Sequence, residues 1–158
     1  MSHTEHLLLV EDDPGLRELL QEELEAEGYR VSACASAEAA QPLLQQGDID
    51  LLISDLRLPG ANGLSLLPVA QSLNPAPAML IITAFGSVQQ AVQALQQGAD
   101  DFLTKPLEMD HFLLTASQVL LPRISWVLLS LQFSPDLLFN PLLLVPLQAT
   151  SMLLCLAT

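Results

Sequence analysis

The chain has 158 residues, 18 acids against 5 Lys+Arg, and a formal net charge of −13. That length allows one domain with a real core, and so acidic a surface repels nucleic acid, which argues against direct DNA or RNA binding by this chain. Cys34 and Cys155 fit no metal or redox spacing, which points to a reduced, cytoplasmic setting, and the polar, acid-bearing start does not read as a signal peptide.

His6–Val10 reads as a buried strand closed by Glu11, Asp12 and Asp13. Pro14 suits the first turn of a helix, where its missing N–H costs nothing. Leu16, Leu19, Leu20 and Leu24 fall on one apolar stripe, Glu18, Glu22, Glu23 and Glu25 cover the other side, and Gly28 stops the helix. Residues 29–34 alternate and suit a strand nearer the sheet edge. Ser36 is the expected N-cap of a second helix, with Glu38 in its first turn, Leu43 and Leu44 inward, and Pro42 as a conflict that kinks or shortens it.

The central strand is expected over residues 49–54, running into Asp55 and a Pro59-Gly60 turn. Ala61, Asn62 and Gly63 are turn chemistry before a helix carrying Leu64, Leu67 and Leu73, in which Pro68 fits only the first turn. Residues 79–83 form another buried strand, ending on the Thr83 hydroxyl. Gly86 and Ser87 open a helix with Val88, Ala91, Val92 and Leu95 at helical spacing. Residues 101–103 make a short strand before Thr104, Lys105 and Pro106. A last helix from about Met109 buries Phe112, Leu113, Ala116, Val119 and Leu120. His3, His6 and His111 fit no ligand spacing and read as surface residues. Strand and helix alternate five times, which implies an α/β fold: a parallel sheet with helices on both faces.

In such sheets ligands collect beyond the C-terminal strand ends. Here those ends carry Glu11 and Asp12, then Asp55, Thr83 and Lys105. If the first strand neighbours the third, three carboxylates converge, repel one another, and stay ionised only beside a cation. Hard oxygen donors favour Mg2+. A carboxylate so placed can accept a phosphoryl group, with Lys105 as a second positive charge and Thr83 holding an oxygen.

These residues carry a resemblance. VEDDPGLR, SDLRLPGANG and TAFGSVQQAVQALQQGADDFLTKP, with Asp55 lying 28 residues before Thr83 and 50 before Lys105, resemble the receiver domain of two-component response regulators. The likeness is strongest to receivers of NtrC-like, sigma-54-dependent activators, and covers residues 1–121. It implies a flavodoxin-like (βα)5 doubly wound fold with strand order 2-1-3-4-5. It implies Asp55 as phosphoacceptor, and Mg2+ held by Asp12, Asp55, the main-chain carbonyl of Arg57 and, through water, Glu11. Thr83 and Phe102 match the switch residues, Lys105 the phosphoryl-binding lysine, and Pro106 a cis-proline. The implied partner is the phosphohistidine of a histidine kinase. A homodimer through helix 4 and strand 5 is a further implied association.

Two rival readings differ in class. A Mg2+-dependent phosphatase with an Asp nucleophile wants an acid two residues after Asp55, but position 57 is Arg. A receiver-like adaptor would bind partners without phosphorylation, and a third possibility is a non-functional truncated fragment. Residues 122–158 depart from the family: Arg123 and Asp136 are their only charges, and they contain neither a GxxxxGK[ST] loop nor a basic helix. Residues 137–158 are uncharged and long enough to span a bilayer, but Pro141 and Pro146 interrupt them and no basic flank orients them, so a membrane role is not expected. A truncated or out-of-frame end, forming no independent domain, is the expectation there, beside a tail that packs on the receiver or on a second copy.

Overall fold

Five apolar runs form the strands β1 His6–Val10, β2 Arg30–Cys34, β3 Leu51–Asp55, β4 Ala78–Ala84 and β5 Asp101–Lys105. They alternate with helices α1 Pro14–Ala26, α2 Ala37–Gln45, α3 Leu66–Gln71, α4 Val88–Gln96 and α5 Met109–Gln132. A short 3-10 turn, Gly63–Ser65, precedes α3. The computed structural model describes residues 3–84 and 88–132. Gly86 and Ser87, read as the opening of the fourth helix, and residues 133–158 of the tail lie outside the described residues.

All pairings are parallel, and the sheet order is β2-β1-β3-β4-β5. β1 and β3 are buried along their whole length because helices cover both faces, which is why their side chains are continuously apolar rather than alternating. β2 and β5, at the two edges, are only partly buried. Two aspartates close the N-terminal edge of the sheet. Asp50 accepts from the amide of His6 (2.8 Å) and Asp100 from that of Met79 (2.8 Å).

The helix ends follow their sequence signals. Asp13 caps α1 by accepting from the Leu16 amide, and Ser36 caps α2 through the Ala39 amide. Gly28, at φ 97°, ends α1 with its amide bonded to the Glu25 carbonyl and that of Tyr29 to the Leu24 carbonyl, a paired closure that needs the left-handed conformation. Pro42 lies inside α2, which is nine residues long. Pro68 falls in the first turn of α3, where no intrahelical donor is lost.

Several expectations need correction. β3 begins at Leu51 rather than residue 49 and includes Asp55, and β5 continues to Lys105, because Thr104 and Lys105 pair with Thr83 and Ala84. On α1 only Leu20 and Leu24 are fully buried, while Leu19 is 45% exposed on the flank of a narrow seam. On α4 the buried residues are Ala91 and Ala94; their small side chains let the helix lie close to the sheet, leaving Val88 and Val92 exposed. α5 runs on through Pro122 to Gln132, past residue 121, where the likeness of the sequence to the family ends. His6 is buried, not a surface residue. It starts a central strand, and its ring meets Ser32 Oγ at 2.8 Å, Arg30 Nη2 at 2.7 Å and Asp48 Oδ2 at 3.0 Å. That cluster lies at the N-terminal strand ends, opposite the edge described next.

Packing groups the chain into two units, Met1–Pro122 and Arg123–Thr158. Among the described residues, no helix is long and apolar enough to cross a membrane.

Candidate functional site

The strand order decides the site. β1 and β3 are neighbours, so Glu11, one residue past β1, stands beside Asp55, the last residue of β3. β5 lies two strands away, yet the long Lys105 side chain spans the gap. Its Nζ donates to Asp55 Oδ2 at 2.5 Å and to Glu11 Oε2 at 2.9 Å. The remaining oxygens of both acids accept from main-chain amides. Asp55 Oδ1 takes the Arg57 N–H (2.8 Å) and Glu11 Oε1 takes the Asp13 N–H (3.1 Å).

The Glu11 side chain is fully buried and that of Asp55 is 6% exposed, while Lys105 keeps 26%. Burial pushes the Glu11 carboxyl above its ordinary value; bonds from Lys105 and the Asp13 amide offset this only in part, and nearby Asp55 adds to it. Burial works against the charge on Lys105 as well, but its bonds to Asp55 and Glu11 outweigh that and raise its pKa. The asymmetry is physical: the lysine reaches solvent and the glutamate does not.

Oxygens of Glu11, Asp12 and Asp55 lie within 4.8 Å of one another. The exposed Asp12 carboxylate makes no hydrogen bond among the described residues, so it is free to ligate. Three anionic oxygens and no nitrogen or sulfur donor form a set suited to a hard cation such as Mg2+, and the residues fit that ion.

Thr83 is buried one residue beyond Ile82, the register partner of Asp55, and its hydroxyl donates to the Ala84 carbonyl at 3.2 Å. Phe102 is not at this rim. It is half-buried against the core and lines a cavity of about 230 Å³ with Thr104, Pro106, Leu107 and His111. The Lys105–Pro106 bond is cis. Arg57 contributes its amide to Asp55, and its side chain is exposed.

Sequence reasoning missed two supports of the site. Gly63 was legible only as a turn residue, but a Cβ there would sit 2.1 Å from the Asp55 carbonyl oxygen and 2.9 Å from Ser54 Oγ, so the returning chain can pass behind Asp55 only as glycine. Arg17 Nη1 donates to the main-chain carbonyls of Glu11 (2.7 Å) and Asp12 (3.3 Å). An arginine one turn into a helix, leaning back toward its start, was the available signal.

An open, doubly wound sheet with a lysine-bridged acid cluster at its C-terminal strand ends defines an α/β domain suited to hold a cation and an anionic group beside a buried aspartate. The chain belongs to the response regulator receiver domain family, whose model matches residues 7–117. Members of this family bind Mg2+ at an acidic pocket and serve in signalling. The chain is 45% identical over 111 residues to the transcriptional regulatory protein GlrR of Escherichia coli (strain K12), covering 70% of this chain and 25% of that protein. It is 39% identical over 116 residues to the C4-dicarboxylate transport transcriptional regulatory protein DctD of Rhizobium meliloti (strain 1021), covering 73% and 25%. The chain thus spans about a quarter of these relatives' length. Among solved structures, the receiver domain of NtrX from Brucella abortus matches with TM-score 0.68 and 29% identity, covering 72% of this chain and 97% of that one. The non-phosphorylated HemR receiver domain from Leptospira biflexa matches with TM-score 0.69 and 34% identity, covering 74% and 94%.

Proposed function

We propose that this chain is a phosphoacceptor. Asp55 takes a phosphoryl group from the phosphohistidine of a histidine kinase, in the presence of Mg2+, and the change is passed to a partner surface. The observation that carries this reading is the meeting of Glu11, Asp12 and Asp55 with the Lys105 amine at one rim.

Asp12, Asp55 and the main-chain carbonyl of Arg57 would hold Mg2+ directly, and Glu11 through water. When bound, the cation offsets negative charge on the carboxylates and on the incoming phosphoryl oxygens. An Asp55 carboxylate oxygen forms a bond to phosphorus as the bond to the donor histidine nitrogen breaks. The freed imidazole takes up a proton, and the product is an acyl phosphate. Lys105 supplies positive charge beside the transferred group. Thr83 would turn its hydroxyl from Ala84 to a phosphoryl oxygen, and Phe102 would turn inward, remodelling the face around α4 and β5. Exposed Val88 and Val92 on α4 support a homodimer through that face.

The relatives' role in transcription supports a receiver of an NtrC-like, sigma-54-dependent activator, carried by residues 1–121 and acting in the cytoplasm as a signalling domain rather than a turnover enzyme. The test is incubation with acetyl phosphate. One phosphoryl group per chain is expected with Mg2+, none with a chelator, and none on Asp55→Asn. Stoichiometric labelling of Asp55→Asn overturns the reading.

A further inference from the structure

We propose that Arg17 is a positioning residue for the cation site: it fixes the β1–α1 loop so that the carboxylates of Glu11 and Asp12, rather than their carbonyls, face the pocket. This rests on the reading of that pocket as a Mg2+ site.

Arg17 Nη1 donates to the carbonyl oxygens of Glu11 (2.7 Å) and Asp12 (3.3 Å), the two consecutive residues whose side chains enter the cluster. The peptide carbonyls are drawn toward α1, and the opposite sides of the same residues are left to the pocket. The guanidinium forms no ion pair with either carboxylate, so it occupies none of their oxygens itself. Its amide also makes the first intrahelical bond of α1, to the Asp13 carbonyl at 2.9 Å, which anchors the clamp to the rigid end of the helix.

The charge pattern of α1 points the same way. A helix prefers acids in its first turn and bases in its last. α1 has neither, and its one cation sits one turn from the N-terminus, against the dipole. Helix stability does not account for an arginine there. Side chains on a helix lean toward its N-terminus, so this position reaches back to the loop. Reaching two successive carbonyls with directed N–H groups suits a planar guanidinium better than a lysine ammonium.

The test is calorimetric titration of MgCl2 into the full wild-type chain, Arg17→Met and Arg17→Lys, with thermal melts of each in metal-free buffer. Arg17→Met keeps the length of the stem and removes the donors. Its Kd for Mg2+ should rise roughly tenfold, because the loosened loop must then be ordered on binding at a cost of about one hydrogen bond from a charged donor, while the metal-free melting temperature falls by only a few degrees; Arg17→Lys should fall between. A Kd within twofold of wild type in Arg17→Met overturns the proposal, and so does a rise fully explained by a smaller folded fraction. If Arg17→Met does not fold, Arg17→Lys decides: a raised Kd at unchanged melting temperature supports the clamp, and an unchanged Kd removes it. A wild-type chain that binds no Mg2+ overturns the pocket reading itself, and with it the clamp; normal wild-type binding beside unchanged variants defeats the clamp alone.

Discussion

Glu11 is a carboxylate with no solvent exposure and two hydrogen-bond donors. Its folded pKa lies above the unfolded value of 4.5. A raised acid pKa means that the folded state holds the proton more tightly than the unfolded chain does. Stability is therefore lost as pH rises from 4.5 through the raised folded value, and the full cost is felt above it. Glu11→Gln should raise the melting temperature of the metal-free protein by a few degrees at pH 7: the amide oxygen can still accept from Lys105, and removing the buried charge outweighs loss of the bond from the Asp13 N–H, which the amide NH2 cannot accept. That advantage should shrink as pH falls toward 4.5. An equal effect at both pH values would mean that burial of charge is not the cause. Gly63 makes a steric demand instead. Gly63→Ala drives a methyl into the Asp55 backbone, and should cost about 2 kcal/mol or more in urea unfolding, in line with overpacked sites. A loss below about 0.5 kcal/mol would show that the loop shifts freely.

At the scale of elements, α2 contains the plainest local conflict. Pro42 is exposed and sits in the sixth position of a nine-residue helix, so the Glu38 carbonyl loses its helical donor. Pro42→Ala should stabilise the domain by about 2 kcal/mol: about 3 from the restored helix, less up to about 1 for the freer unfolded chain. Chemical denaturation checks this, and an unchanged midpoint would mean that the helix has already absorbed the proline. Much of the element pattern was legible in the sequence, because apolar runs between Gly, Pro and capping residues mark strands and helices. What was not legible depends on neighbours. β5 extends to Lys105 only because β4 offers Thr83 and Ala84 as partners. Leu19, Val88 and Val92 match a helical stripe by spacing, but the width of the buried seam is set by the sheet beneath. His6 looked like a surface residue until β2 and the α2–β3 loop closed over it.

At the scale of the molecule, the C-terminal strand ends bring together residues up to 94 positions apart, Glu11 and Lys105. Residue types and spacing exposed the cluster of Glu11, Asp12, Asp55 and Lys105 because each follows an apolar strand. The supports behind it were hidden, since Arg17 and Gly63 act through backbone atoms that carry no signature of their own. The most direct measurement on the account as a whole is to treat the full chain with acetyl phosphate and Mg2+, reduce it with borohydride, and sequence its peptides by mass spectrometry. Reduction of an aspartyl phosphate leaves homoserine, which is expected at position 55 and nowhere else. Homoserine at position 12, or a stable phosphate on a serine or threonine with residue 55 unmodified, would contradict it.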